Sequence, residues 1–406
     1  MDKIFKIISF TLFILILVIY DYRLTYLILF MSILFMIYSK FNYYKPNFAF
    51  LAPWILIYFF QILPITIYSR SLNPITIQLI SLPLVIGLIF LPKIGLKRSF
   101  EIISLKRISN RNYKIALIIC YTLFFINVAY SGFLPLLRLI LEGSSDYFDY
   151  GIKGVNGLFY AYANAFGVLN YYLFIHDRKK KYLYVILSIL VIFLLCLTRQ
   201  NIISLIVEIA VLHALCSKPL NKAKLITYVV IILIGFGILG ESRSGDIREI
   251  MGLKKEYYWL PNSFIWIYAY FFFNVLNLDN IVTSGNYALF DFSSLSSLLP
   301  SFLRGTASDD LSSLEVVNFT ISSYIQPIFI DFGFWGVLLI TFIVVFLTVI
   351  AYEKAIILKN FGAIGIYVVL FFCASFSFFI NFWFYLPIIF QIPFVMIFNK
   401  YITKNE

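Results

Sequence analysis

The sequence predicts an all-α polytopic integral membrane protein with about twelve transmembrane helices, on three observations. First, 62% of the 406 residues are hydrophobic, only 13% are charged, and mean hydropathy is +0.92. A soluble domain carries about 25% charged residues, so this chain has roughly half the charge that a water-facing surface needs. Second, the apolar residues gather into stretches near the length, about 20 residues, that crosses a hydrocarbon core roughly 30 Å thick. Third, the cations between those stretches alternate between rich and poor segments, as the two sides of a membrane do. An ordinary water-soluble enzyme, a disordered tail and a disulfide scaffold are all excluded. The net charge of +12 sits in short runs flanking apolar stretches, so it reads as topological charge and no nucleic-acid partner is expected. Cys120, Cys196, Cys216 and Cys373 all fall inside apolar stretches and offer neither a disulfide framework nor a metal cluster.

Taken in order, the first span, 4–20, follows Lys3 and Lys6 and lacks a small-residue cleavage site, so it reads as a retained helix and not as a signal peptide. Asp21, Tyr22 and Arg23 turn the chain into the second, 22–38. Lys40 and Lys45 precede the third, 48–68, and Arg70 marks the turn into the fourth, 75–92. A basic run from Lys93 to Lys114 leads to the fifth, 115–131. A connection of about 132–157 precedes the sixth, 158–175, and Arg178 to Lys181 separate it from the seventh, 182–198. A tight turn at Arg199 opens the eighth, 201–216, and Lys218, Lys222 and Lys224 lead to the ninth, 225–240. After a long segment, about 241–333, come 334–352, 361–380 and 382–399, with Lys354 and Lys359 between them and Lys400 and Lys404 after the last.

With both termini cytoplasmic, 22 of the 32 cations fall inside, as the positive-inside rule requires. Residues 259–278 are apolar enough for a thirteenth span, but crossing there would move Lys354, Lys359, Lys400 and Lys404 outside. Pro261, Asn262, Asn274 and Asn277 interrupt that stretch, which is expected outside as short interfacial helices lying on or dipping into the membrane. The organisation is therefore nine helices over 1–240 with a medium outer loop at 132–157, a large outer loop over 241–333, and three helices with a short cytoplasmic tail over 334–406. Long connections of this kind are usually functional, and both lie on one side.

The two faces use different cations. Inside, 18 of 22 are lysine; outside, seven of ten are arginine. Arginine's planar fork grips phosphate or carboxylate in two-point fashion, whereas lysine suffices as topological charge. Arg199 sits in LTRQN between two spans, where a charge is costly unless paired or functional. Arg243 and Arg248 sit in GESRSGDIRE just after a span ends, and Arg138 follows the fifth span in GFLPLLRLI. Pairing with outer carboxylates is the plain alternative; an anionic lipid head group at the outer surface is the sharper one. A general base would come from Glu142, Asp146, Asp149, Glu241, Asp246, Glu249, Asp309, Asp310, Glu315 or Asp331, among which the sequence does not choose. Glu208 is the single acid deep in a span, with His213 five residues on; a structural hydrogen bond to a neighbouring helix or to Asn201 is favoured over a proton relay. There is no P-loop, dinucleotide glycine fingerprint or HExxH, and the first outer loop carries no acidic metal-binding motif, so neither metal nor other cofactor is expected.

In layout and in three local stretches the chain resembles the bacterial oligosaccharide repeat-unit polymerases of the Wzy type, which build O-antigen and capsular polysaccharide. LTRQN with Arg199 resembles the family's arginine at an outer turn between central spans, and GESRSGD with Arg243 resembles the stretch that opens the large loop. NFTISSYIQPIFIDFGFWG, Asn318 to Gly336, resembles the approach to the following span. The Arg-x10-Gly pattern of some members is absent, since Asp149 and Glu315 stand at the eleventh positions after Arg138 and Arg304. The related O-antigen ligases carry a histidine in the large loop; residues 241–333 contain none, and Asn318 stands near the corresponding place.

The resemblance implies a GT-C-like membrane fold in the bacterial cytoplasmic (inner) membrane. It also implies a metal-independent glycosyltransferase acting on undecaprenyl-pyrophosphate-linked repeat units at the outer face. On that reading Arg199 and Arg243 are catalytic, and Arg138, Arg248, Arg304 and Asn318 bind pyrophosphate or glycan. Membrane lipid, a chain-length regulator and a flippase are the implied partners. A ligase-like transferase and a flippase for the same lipid-linked glycan are the alternatives.

Overall fold

The computed structural model describes residues 7, 10, 11, 14, 15, 22–38, 42–90, 107–143, 147, 149–217, 221, 227, 230, 246–290, 292–299, 303, 314–316 and 319–404. They are almost wholly helical: α1 Tyr22–Tyr38, α2 Pro46–Ile62, α3 Pro74–Ile89, α4 Asn110–Ser131, α5 Pro135–Glu142, α6 Val155–Asp177, α7 Lys181–Leu195 and α8 Arg199–Cys216. After α9 Ile247–Ile250 follow α10 Asn262–Ser284, α11 Ser293–Ser296, α12 Ile325–Leu358, α13 Phe361–Ser375, α14 Leu386–Ile389 and α15 Gln391–Tyr401. The stretch Asn110–Glu142 and helices α8, α10 and α12 are long and apolar enough to cross a membrane, and shorter apolar helices accompany them.

Local chemistry starts and stops the helices. Pro46, Pro74 and Pro135 occupy the first turn of α2, α3 and α5, where a missing N–H costs nothing. The side chains of Asn73 and Asn360 accept from the N–H groups of Ile75 and Ala363 to cap α3 and α13. Gly132 and Gly143 close α4 and α5 in the left-handed conformation.

Helix α6 sits at the centre, against α4, α7, α8, α14 and α15, while α13 joins that group to α2 and α12. Close approach depends on missing side chains: a Cβ on Gly167 would lie 2.7 Å from Leu205 Cδ1, and one on Gly365 would lie 2.6 Å from Val395 Cγ1. Gly365→Val is expected to destabilise by about 1–3 kcal/mol through overpacking. Ile118→Val on the exposed face of α4 is expected to change little, and melting curves of both variants in detergent check the contrast.

One end of the bundle, the base, is marked by a short antiparallel pairing of β1 Arg107–Ile108 with β2 Thr403–Lys404, and by Gly362 N–H on the Asn399 side chain. The base ends of α4, α13 and α15 are thus level. At about 1.5 Å per residue, the 15-residue α13 and the 16-residue run Leu386–Tyr401 stop roughly 10 Å short of the 22-residue α4 and 23-residue α6. The opposite end, the head, is filled by residues 376–385, an irregular segment with one 3-10 turn at Phe382–Phe384.

Several sequence expectations change here. The last span, expected unbroken over 382–399, is divided into a 3-10 turn, α14 and α15; Pro387 opens α14 at its first turn, and Pro393 removes another donor near the start of α15. The boundary expected at 333/334 falls inside α12, which begins at Ile325 and kinks at Gly333 (φ 63, ψ −163). Carbonyls of Phe329, Ile330 and Asp331 beside that kink are taken up by the N–H groups of Ala288, Leu289 and Phe290. The stretch 259–278 forms the continuous, mostly buried helix α10 and not several short surface helices. Its Tyr268 hydroxyl donates to the Leu63 carbonyl (2.8 Å), Gln61 donates to the Phe272 carbonyl (3.0 Å), and Asp279 accepts from Asn73 N–H and Thr76 hydroxyl (2.8 Å each). All of these partners lie at or next to the α2–α3 turn, so α10 crosses the head end. Of the twelve expected spans, 4–20 and 225–240 lie outside the described residues except at isolated positions.

Candidate functional site at the head end

Arg199 opens α8. Leu197 adopts the left-handed conformation (φ 55) to reverse the chain after α7, and Thr198 N–H and hydroxyl both return to the Phe193 carbonyl. The Arg199 side chain therefore stands exposed at a helix N-terminus and makes no hydrogen bond or ion pair among the described residues. The N–H groups of Arg199, Asn201 and Ile202 already donate to the Leu197 and Thr198 carbonyls, so it is the guanidinium, with the positive end of the helix dipole behind it, that favours an anion here.

Below it, α8 presents a polar stripe inward. Gln200 donates to the Tyr385 hydroxyl at 2.6 Å, Asn164 of α6 donates to the Asn201 side chain at 3.0 Å, and Ser204 leads to Glu208. Beside it, Tyr150 and Tyr160 lie near the Cys196 thiol, three residues before Arg199, and the Tyr150 hydroxyl is buried without a hydrogen-bond partner. Burial, with the Cys196 thiol beside it, raises the Tyr150 pKa and keeps its hydroxyl protonated. The Tyr150 loop is pinned: Gly151 N–H donates to Ser131 Oγ (2.7 Å) and Ile152 N–H to Asn127 Oδ1 (2.9 Å). Gly151 needs its hydrogen twice over, because φ is +84° and a Cβ would lie 2.7 Å from Asn156.

Residues 376–385 complete the rim with seven aromatic side chains and Asn381, whose amide oxygen and nitrogen are both buried without a partner, as is Trp383 Nε1. Sequence reasoning missed this segment because its aromatic residues read as ends of two spans; the asparagine between them, with Pro387 just beyond, was the signal available.

The other predicted residues stand as follows. Arg138 pairs with Glu142 at 2.7 Å and lies over the Phe133 ring at 4.7 Å on the partly exposed α5. Arg248 reaches the Leu260 carbonyl at 3.4 Å, on a segment held to the α2–α3 turn by Ile67 N–H to Gly252 O and Lys254 N–H to Ile65 O. Arg243, Arg304 and Asn318 lie outside the described residues. Arg199 is thus the predicted arginine whose side chain stands exposed and without a hydrogen bond or ion pair among the described residues. Arg70, which the sequence did not single out, binds both oxygens of Glu315 (3.0 and 3.1 Å), Asn280 (2.5 Å) and Asp279 (3.6 Å). That cluster ties α10 to the α2–α3 turn, and its acids lie more than 200 residues from Arg70.

These pairings narrow the carboxylates. Glu142 and Glu315 are bound to arginines, Asp246 caps α9 by accepting from Arg248 N–H, and Asp331 accepts from Ser293 and Ser294. Asp146, Glu241, Asp309 and Asp310 lie outside the described residues. Asp149 and Glu249 remain exposed and unpaired among them, and Asp149 adjoins Tyr150, which lies beside Cys196. Glu208 does form the structural bonds expected of it, but with Ser204 and Gln391; Asn201 bonds Asn164 instead. Burial lowers the His176 pKa to about 4, so its ring is neutral at neutral pH; His213 meets the Tyr171 hydroxyl (2.9 Å) far down α8. Among the described residues no group of three or more His, Cys, Asp or Glu side chains is placed to hold a metal. No family model matches the chain, and no curated protein or solved structure is significantly similar to it.

Proposed function

We propose that this chain is a membrane glycosyltransferase that polymerises undecaprenyl-pyrophosphate-linked oligosaccharide repeat units into O-antigen or capsular polysaccharide at the outer face of the bacterial cytoplasmic membrane. The observation that carries the reading is Arg199: an exposed, unpaired guanidinium on a helix N-terminus, at the mouth of an apolar bundle. The head end is then the outer face. In the reaction the bond from the anomeric carbon of the growing glycan to pyrophosphate breaks, a bond from that carbon to the acceptor hydroxyl forms, and the hydroxyl proton passes to a base. Arg199, with the positive end of the α8 dipole behind it, stabilises charge developing on the departing pyrophosphate. Arg243, Arg248, Arg138, Arg304 and Asn318 complete the proposed set at pyrophosphate or glycan, on the resemblance alone.

Deleting the gene is expected to leave single repeat units on the lipid, and the wild-type gene is expected to restore a ladder of surface glycan on a denaturing gel. Loss of even single-unit surface glycan would instead indicate export or ligation. Of the two exposed carboxylates, Asp149 is the proposed base, because its loop is pinned to the end of α4 and the adjacent Tyr150 lies beside Cys196, three residues before Arg199. Asp149→Asn is expected to slow polymerisation about 100-fold or more, with Glu249→Gln close to wild type. Equal ladders from the two variants would remove Asp149 from the mechanism.

A further inference from the structure

Helices α8, α13 and α15 meet around Glu208, which is fully buried, as are Ser204 and Gln391. Ser204 Oγ donates to Glu208 Oε1 at 2.5 Å, and Gln391 Nε2 donates to the same oxygen at 3.1 Å while reaching Ser204 Oγ at 3.4 Å. The second carboxyl oxygen, Glu208 Oε2, and the amide oxygen of Gln391, Oε1, are both buried without a partner. Two side chains already joined by one hydrogen bond thus carry two orphan acceptors, an arrangement that leaves negative potential uncompensated in a low-dielectric interior.

Among the described residues no cation answers it. Within the described structure the Cys373 thiol of α13 lies beside it and Asn164 of α6 bonds Asn201, seven residues toward the head; neither is charged. On α8 itself, Arg199 lies nine residues toward the head, about 13 Å along the axis, and His213 lies five residues toward the base, bonded to Tyr171. Lys181, His176, Asp177 and Lys400 all sit at base-end termini.

We propose that Glu208 Oε2 and Gln391 Oε1, with Ser204 Oγ beside them, form an intramembrane site for one small positive charge, a proton or a sodium ion. Occupation ties α15 to α8, and the chain just before α14 carries Tyr385, whose hydroxyl accepts from Gln200 beside Arg199. The site stands on its own geometry and does not depend on the polymerase reading.

The test is thermal unfolding of the full chain in lipid nanodiscs, in sodium chloride against choline chloride at equal ionic strength, at acid and at alkaline pH. For a sodium ion, the wild type melts higher in sodium than in choline at alkaline pH, and acid suppresses the difference. For a proton alone, the wild type melts higher at acid pH and sodium has no effect. In either case Glu208→Gln, whose own amide N–H can donate to Gln391 Oε1, loses the response. A wild type that responds to neither variable more than Glu208→Gln does overturns the proposal. Should that variant not fold, Ser204→Ala keeps the carboxylate and carries the test. Its half-saturating sodium or proton concentration is expected to shift about tenfold through loss of one hydrogen bond, and an unshifted response overturns the site.

Discussion

Arg199→Ala is expected to abolish the glycan ladder without unfolding the protein. Removing one preorganised donor from a developing oxyanion typically costs about 100- to 1,000-fold in rate, which on a gel reduces a ladder to single repeat units. The side chain is exposed and has no partner among the described residues, so its loss should change stability by no more than about 0.5 kcal/mol. That separation is the value of the experiment: most polar side chains at this end, such as Gln200, Asn201 and Asp331, hold other elements and would confound activity with folding. Arg199→Lys keeps the charge but not the planar fork, and is expected to restore only a small part of the ladder. Measured at matched expression with melting temperatures alongside, a full ladder from Arg199→Ala would remove the arginine from the site and with it the chief support for the proposed reaction.

The second large effect is structural. Asp331 is fully buried next to the kink of α12; its oxygens accept from Ser293 Oγ and Ser294 N–H at 2.8 Å each, and from Ser294 Oγ. Alanine there leaves these donors buried and unsatisfied, a loss of about 2–5 kcal/mol. Just before Ser293, Ala288, Phe290 and Phe292 are all held in the left-handed conformation (φ 59, 55 and 59). Such residues persist only where the surroundings impose them, so Asp331→Ala is expected both to lower the melting temperature and to open residues 285–299 to protease. Asp331→Asn keeps one acceptor and should fall between alanine and wild type. A melting curve and digestion pattern for Asp331→Ala matching wild type would show that the carboxylate is not what holds this segment.

What the sequence by itself determined is the membrane-protein class and the places of most helices. A bilayer reads hydropathy along one dimension and leaves no solvent for unpaired backbone groups, so apolar runs of sufficient length become helices whatever they later pack against. The exposed arginine at the start of α8 was legible for the same reason: a charge at the edge of an apolar run stands out before any partner is known. Tertiary structure decided which polar groups are spent on packing and which are left over. Arg70 joins Asp279 and Glu315 across more than 200 residues, Asn274 and Asn277 take backbone carbonyls at Phe378, Phe319 and Ile321, and Glu208 finds Gln391 across 183 residues. None of these pairings has a local signature, because each depends on the depth at which two distant helices meet. Hydropathy also overlooked the division of the last span and the placing of α10 across the head end. Both are set by a few polar side chains and prolines in otherwise apolar stretches, which an average over 20 residues conceals and a hydrogen-bonded interior does not.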